Sequence, residues 1–467
     1  MKTYNGTNNN TNKLFPLKNK LLSSKTAFSC GDDSITYSEL FKKVIDLNNQ
    51  LDKKKDKDRS LILFKSKNSS FFLISFLESL YSERIFFPIS HDMSKNGINR
   101  IKKDFSDAFF IKDTTRIKSS LFSYNFLEKT DNSTSIKAYH QIIDKHFLSK
   151  KNVLCLMTSG STGTPKYIYR TAVSLKKQAE CFSKRISLLP KDILFNPLPL
   201  YHSFAFDTCL IPCFLRGATY QSVPSISLQS IRGVLEKNKT TIFASTPYIF
   251  DLLCRSDISK KELKGIRLFL SAGAPLTKEL FLKFKKRFGK NIVQLYGTSE
   301  TGVISLNYPF NKNKFLSVGK PLNNLKIKIG KKDSAITVNK IKTSDTGYID
   351  KNGILFLKGR KSDIINFAGK KIDPSEIEQI LLQHPFIKEA TVMGTPNKTY
   401  GEIVTAYIVP LRKIAEKSII QFCAKNLPSY KIPKNIKFIK KTPKTGIGKI
   451  AKASLAEKSY KVQGTLR

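Results

Sequence analysis

Apolar and polar positions along this chain change their spacing in an ordered way. Ile35-Thr36-Tyr37-Ser38-Glu39-Leu40 opens a helix, with Thr36 as cap and Glu39 three residues on, and Leu40, Val44 and Leu47 continue its apolar stripe. Residues 60–65 and 85–89 are short apolar runs that read as buried strands, with a helix over 71–81 between them. Further on the pattern predicts helix 172–187, strand 193–197, helix 228–237, strand 241–245, helix 247–254, strand 267–271, helix 278–288 and strand 291–296. Such alternation predicts βαβ units and parallel sheets, hence an α/β fold. From about residue 303 the runs shorten, as at 325–329 and 335–338, which suggests a small β subdomain over 303–359. After Arg360 a compact α+β unit follows, with helices 374–383 and 418–426 and strands 389–394 and 402–410. The expected organisation is a disordered tail at 1–12, an N-terminal domain at 13–359, a hinge at 360–363 and a C-terminal domain at 364–467.

The apolar run 153–157 leads into Met157-Thr158-Ser159-Gly160-Ser161-Thr162-Gly163-Thr164-Pro165-Lys166. A loop of glycines and hydroxyls can turn backbone N–H groups toward an anion, and Lys166 adds a mobile charge. That suits a polyphosphate. The spacing is not that of a P-loop, which needs Gly-x-x-x-x-Gly-Lys-Ser/Thr opening a helix. Pro165 turns Thr164 away from helical geometry, and Tyr167-Ile168-Tyr169 favours a strand. A strand–loop–strand phosphate clamp is the local reading.

Four later elements appear in fixed order: Tyr296-Gly297-Thr298-Ser299-Glu300, Thr343-Ser344-Asp345, Gly359-Arg360-Lys361-Ser362-Asp363, and Pro443-Lys444-Thr445-Gly446-Ile447-Gly448-Lys449. With the clamp they resemble the signatures of the adenylate-forming superfamily, which includes acyl-CoA synthetases, coumarate-CoA ligases, adenylation domains and luciferases. The resemblance spans about residues 24 to 456. It implies stacked βαβ sheets in the large domain and a mobile C-terminal domain carrying a catalytic lysine. It also implies ATP-dependent conversion of a carboxylic acid, fatty or aryl, to acyl-AMP and pyrophosphate, followed by transfer to a thiol. CoA is the first choice of thiol; the alternative is the phosphopantetheine of an acidic acyl carrier protein. A luciferase-like oxygenase would share the same motifs.

The resemblance assigns roles to particular residues. Thr158, Ser159, Gly160, Ser161, Thr162, Gly163 and Lys166 would wrap the β- and γ-phosphates, and Glu300 would ligate Mg²⁺, a hard cation suited to carboxylate oxygen. Ser299, where the family usually has threonine, would bond the α-phosphate beside Gly297. Tyr296 would face adenine, opposite Gly273, Ala274 and Pro275. Asp345 would accept from the ribose hydroxyls, Arg360 would assist there, and Lys449 would stabilise charge in the adenylation transition state. His202 resembles the gate beside the acyl pocket, and Gly369 and Lys371 the loop for the second half-reaction. Phe204, Phe206 and Phe250 suggest an apolar acyl pocket. Two departures stand out: Ser362 replaces the usual hinge Asp or Lys, and residues 301–344 make a shorter link to Asp345 than is usual.

Composition changes the picture only in part. The chain has 81 Lys and Arg against 36 acids, a net charge of +45, spread along its length. Such a field attracts phosphate-rich ligands or an acidic partner and promotes nonspecific nucleic-acid binding. No zinc-finger spacing or RNA-binding aromatic signature accompanies it, so no dedicated nucleic-acid site is expected. Seven cysteines, none in a CxxC pair, read as free thiols of a reducing compartment. No run reaches the ~18 apolar residues of a membrane span, and the expected location is cytoplasmic.

Overall fold

The structure, a computed structural model, describes residues 24–53, 61–93, 95–105, 109–112, 150–159, 165–237, 239–331, 334–360, 363–367, 370–397, 400–444, 450–451 and 454–455. The tail expected at 1–12 lies outside them. Two compact units divide between Leu325 and Lys326. The division falls ahead of residues 360–363, and the short strands after 326 group with the C-terminal residues.

The first unit is mixed α/β. Its strands are β1 (Thr26–Cys30), β2 (Asp33–Thr36), β3 (Leu61–Ser66), β4 (Ile85–Ser90), β5 (Phe109–Lys112), β6 (Asn152–Ser159), β7 (Pro165–Thr171), β8 (Ile193–Phe195), β9 (Thr219–Ser222), β10 (Ile242–Ser245), β11 (Leu268–Ser271), β12 (Ile292–Thr298), β13 (Gly302–Leu306) and β14 (Lys320–Pro321). They form a nine-stranded sheet, β14-β13-β12-β11-β10-β8-β9-β1-β2, and a five-stranded sheet, β5-β3-β4-β6-β7. The centre of the larger sheet is parallel, from β1 through β9, β8, β10 and β11 to β12, as the βαβ pattern predicts. Its edges are antiparallel: β2 hairpins onto β1, and β13 and β14 extend β12. In the smaller sheet β7 returns antiparallel along β6.

Local signals place the helices where the pattern puts them. The helix Tyr37–Lys53 starts with a reciprocal capping box: Thr36 N–H donates to Glu39 Oε2 at 2.8 Å, and Glu39 N–H to Thr36 Oγ1 at 3.3 Å. The helix Ser70–Tyr81 is buried along most of its length, which suits an element covered on more than one side. Its Phe72 and Phe76 meet Phe206 edge-on, at ring distances of 5.4 and 4.7 Å, and both also touch Phe86 of β4. Edge-to-face pairs of this kind add about 0.5–1.5 kcal/mol each beyond the area they bury.

One segment departs from expectation. Residues 203–216, where the apolar pattern predicts no regular element, form a helical turn Ser203–Ala205, a π-helical turn Phe206–Leu210 and an α-helix Ile211–Arg216. Single π turns are frequent at functional sites.

The second unit carries an antiparallel sheet of β15 (Ile327–Ile329), β16 (Ala335–Val338), β17 (Ile341–Ile349) and β18 (Leu355–Arg360). A second sheet holds β19 (Ile365–Phe367), β20 (Lys370–Ile372), β21 (Ile387–Asn397), β22 (Gly401–Pro410) and β23 (Asn435–Phe438). The helices Pro374–Leu381 and Glu416–Asn426 contribute Ile377, Leu381, Ile419 and Cys423 to a core with Val392, Val404 and Ile408. No helix of the described residues is long and apolar enough to cross a membrane.

Candidate active site

In open α/β sheets the turns beyond the carboxyl ends of parallel strands are where ligands bind. Here β8 runs out toward His202, β11 into Ala272-Gly273-Ala274-Pro275, and β12 into Ser299 and Glu300. Three of the expected motifs therefore leave strands of one sheet at the same end. Gly273 has φ +85°, a conformation that L side chains rarely adopt, so the small-residue turn after β11 depends on it. Ala274 is half-buried and Pro275 exposed.

The clamp is a hairpin. β6 and β7 pair antiparallel with Thr158 opposite Lys166 and Ser159 opposite Pro165, as the strand–loop–strand reading requires. Gly160, Ser161, Thr162 and Gly163 lie outside the described residues, as do the side chains of Thr158 and Ser159. Lys166 is described, and it reaches the other motif: its Nζ lies 3.9 Å from Glu300 Oε1. The lysine side chain is 64% exposed and the glutamate 35%, so the pair is solvated and contributes little to stability. Its value is geometric, since a cation and a carboxylate from two distant segments face one small volume.

The Glu300 turn is tightly built. Thr298 and Thr301 hydroxyls lie 3.0 Å apart, and Thr301 N–H donates to Thr298 Oγ1 at 3.3 Å. A Cβ on Gly297 would come within 2.6 Å of the Gly302 carbonyl, and one on Gly302 within 1.6 Å of Gln178 Oε1. Both positions must be glycine for this turn to close. A carboxylate flanked by hydroxyls is a hard-oxygen donor set, which fits Mg²⁺ carried by a triphosphate. Tyr296, within β12 just ahead of the turn, is only 6% exposed. His202 is half-buried, at the head of the turn Ser203–Ala205, with its ring 4.4 Å from that of Tyr201.

Two rings read as acyl-pocket residues belong to the core instead. Phe206 is fully buried against Phe72, Phe76 and Phe86, and Phe250 against Phe243, Phe269 and Phe284. They fill layers between sheet and helix, so they carry no information about the acyl group. Phe204 remains half-buried. Cys209 and Cys213, four residues apart on this segment, are both buried, and burial pushes their thiols up, away from the thiolate that metal binding needs.

Sequence reasoning missed a buried network behind the Glu300 turn. Arg170 of β7 is 4% exposed and donates to Asp207 Oδ2 at 3.0 Å, to Gln178 Oε1 at 2.7 Å and to the Ser299 carbonyl at 3.4 Å. Among the described residues, Gln178 Nε2 is buried with no hydrogen-bond partner. Burial pushes the Asp207 carboxyl up to about 6, against the pull of Arg170. A signal existed. Asp207 is the one charged residue between Asp192 and Arg216, in a stretch otherwise dominated by apolar side chains.

In the second unit, Asp345 and Arg360 are opposite each other in the β17–β18 register, so the two expected ribose residues share one rung. Asp345 is 8% exposed, and its N–H donates to Thr343 Oγ1 at 3.3 Å. Lys371 lies on β20 opposite Asn366; its side chain and that of Arg360 lie outside the described residues, as does Gly369. Lys449 is also outside them. Its loop is closed at the base by a bridge between Lys444 and Ile450 and by Ala451 N–H donating to Pro443 O at 2.9 Å. Two surface hollows of the first unit, of about 300 and 360 Å³, are lined by none of the first-unit motif residues: one lies beside Lys65 and Asn99, the other beside Asp192 and Arg267.

Comparison with known families gives the class to which the chain belongs. The AMP-binding enzyme model matches residues 19–349 and the AMP-binding enzyme C-terminal domain model residues 376–449, so the chain belongs to the AMP-binding enzyme family. A POTRA-like domain model also matches residues 333–401, a span that straddles two separate sheets. Human mitochondrial acyl-coenzyme A synthetase ACSM3 is 27% identical over 378 residues, 71% of this chain, and the chain spans 63% of that relative's length. The 2-succinylbenzoate–CoA ligase of Oceanobacillus iheyensis is 27% identical over 91% of this chain and 94% of its own length. Among solved structures, ATP-bound MatB from Rhodopseudomonas palustris superposes with a TM-score of 0.79 at 19% identity, covering 94% of this chain and 96% of MatB. The o-succinylbenzoate CoA synthetase of Bacillus subtilis, in complex with its acyl-adenylate intermediate, gives 0.75 at 22% identity over 92% and 95%. These two likenesses establish the fold.

Proposed function

We propose that the protein activates a carboxylic acid with Mg·ATP and transfers the acyl group to a thiol. Family membership and the ordered motifs support the reading, and one observation carries it. Lys166 from the clamp hairpin and Glu300 from the turn after β12 stand 3.9 Å apart, although 133 positions divide them. A cation and a carboxylate meeting at the carboxyl ends of the strands suit a metal-bridged triphosphate.

In the first step a carboxylate oxygen attacks the α-phosphorus of ATP; the new P–O bond forms as the bond to pyrophosphate breaks, leaving acyl-AMP. The backbone of the 158–166 hairpin and Lys166 hold the outgoing phosphates. Glu300 holds the magnesium that comes with them. Asp345 and Arg360 take the ribose, with Tyr296, Gly273, Ala274 and Pro275 about the adenine. Lys449 supplies an ammonium where charge builds in the transition state. In the second step a thiol attacks the acyl carbonyl, AMP leaves, and Gly369 and Lys371 serve this half-reaction. The names of the relatives favour CoA as the thiol, and a carrier-protein phosphopantetheine is the second choice.

The test is pyrophosphate exchange into ATP across a panel of carboxylic acids, followed by product identification with CoA and with holo-carrier protein. Lys449→Ala should nearly abolish exchange while sparing thioester formation from supplied acyl-AMP. Equal loss of both steps would mean that Lys449 does not act specifically in adenylation.

A further inference from the structure

Lys166 and Arg170 lie on one face of β7, four residues apart, and side chains at even spacing along a strand point the same way. Lys166 reaches Glu300; Arg170 reaches the carbonyl of Ser299, the residue immediately before it. We propose that Arg170 is a positioning residue that ties the Glu300 turn to the segment following His202, so that the two halves of the site keep one arrangement. The role rests on the activity proposed above.

The geometry supports it at both ends. Residues 299–302 are held by Arg170 at the Ser299 carbonyl and by Gln178 packed against Gly302, with Glu300 between the two anchors. At the other end Arg170 pairs with Asp207, whose neighbour Phe206 is locked among Phe72, Phe76 and Phe86. The Phe206 N–H donates to the His202 carbonyl at 3.0 Å, so the fixed π turn runs directly into His202. Only a guanidinium suits this position. Its planar fork of five donors reaches three acceptors in different directions, which a lysine ammonium on one nitrogen cannot reproduce. Stability alone does not explain the pair, because buried ion pairs are often no better than apolar side chains of similar volume.

The experiment compares wild type, Arg170→Lys and Asp207→Asn, with thermal melting, pyrophosphate-exchange kinetics over a panel of carboxylic acids, and amide hydrogen exchange. Arg170→Lys should remain folded and lose on the order of tenfold to hundredfold in kcat, with KM for ATP within about threefold, since residues 158–166 at the tip of the hairpin keep their side chains. Amides at 297–302 and 203–210 should exchange faster together, while those of β10 and β11 stay protected. Asp207→Asn, close to isosteric, should give the same pattern and keeps the proposal testable if the lysine variant fails to fold. Folded variants with wild-type kcat, or unchanged exchange at 297–302, would overturn it. Wild type that exchanges no pyrophosphate with any acid would overturn the activity itself, and this role with it.

Discussion

Among the described residues of the first unit, two arginine–aspartate pairs with a buried carboxylate share the same chemistry in opposite settings. Arg267 and Asp192 sit at the amino ends of β11 and β8; Arg170 and Asp207 lie behind the motif-bearing turn after β12. Asp192 is fully provided for: Arg267 donates through Nε at 3.1 Å and a terminal nitrogen at 2.9 Å, Thr241 Oγ1 at 2.8 Å and Leu189 N–H at 2.8 Å. Burial pushes its carboxyl up, but these bonds outweigh it and hold the pKa below the usual range. Asp207 has Arg170, a long bond from Thr208 at 3.4 Å and its own backbone amide, and burial wins. The well-satisfied pair belongs to the pole where strands begin and no motif lies. The strained pair belongs beside the candidate chemistry, where perturbed groups tend to gather. Asp192 is there to stabilise; Asp207 is there to position.

The comparison can be broken most directly at Asp192. Asp192→Ala leaves Arg267, Thr241 and the Leu189 amide without their acceptor. Because the Arg267 side chain is 35% exposed, water takes up part of the loss, and the expected cost is about 3 kcal/mol rather than the larger values of fully buried pairs. Urea unfolding should show that drop, while kcat per folded molecule stays at the wild-type value. A matching fall in kcat would mean that the two poles are not separable.

Gly302→Ala should cost less but act on the other pair. The position has φ +71°, and the new methyl would run into Gln178 Oε1. Displacing Gln178 and straining the backbone should cost about 2 kcal/mol. Unlike Asp192→Ala, this change should also lower kcat, because Gln178 is one of the acceptors that orient Arg170. Loss of stability without loss of rate would break the link between Gly302 and the Arg170 network.

The difference between the pairs also marks what could be read in advance. The hairpin clamp was legible because Pro165 excludes a helix and the following aromatics favour a strand, all within ten residues. The capping box at Thr36 and the helix Lys278–Phe288 were legible for the same local reason. Arg170 and Asp207 were not, because their meeting depends on a sheet edge returning beside a π turn, and neither residue carries a local pattern that foretells the other. Phe206 and Phe250 mislead for a related cause. Aromatic composition shows that a segment is apolar; only tertiary packing decides whether it lines a pocket or fills a layer. The β17 and β18 strands are hard to read because exposed apolar positions, such as Ile341, Tyr348 and Leu357, blur the alternation that marks a half-buried strand.

The finest distinction lies in pH. Asp207's folded pKa, about 6, stands above the ordinary carboxylate value of 3.8, so the native state binds this proton more tightly than the unfolded chain does. Between those two values acidification therefore adds stability through Asp207. Asp192 behaves in the opposite sense: its depressed pKa contributes stability above the ordinary value, lost only as pH falls through the lower folded one. Mild acid should thus neutralise the partner of Arg170 while the other pair stays ionised and the fold holds. The expected result is a fall in kcat as pH drops through about 6, with near-ultraviolet circular dichroism unchanged. Asp207→Asn, already slow, should be flat over the same interval. Parallel profiles for wild type and variant would assign the titration to another group and leave the contrast between the pairs to geometry alone.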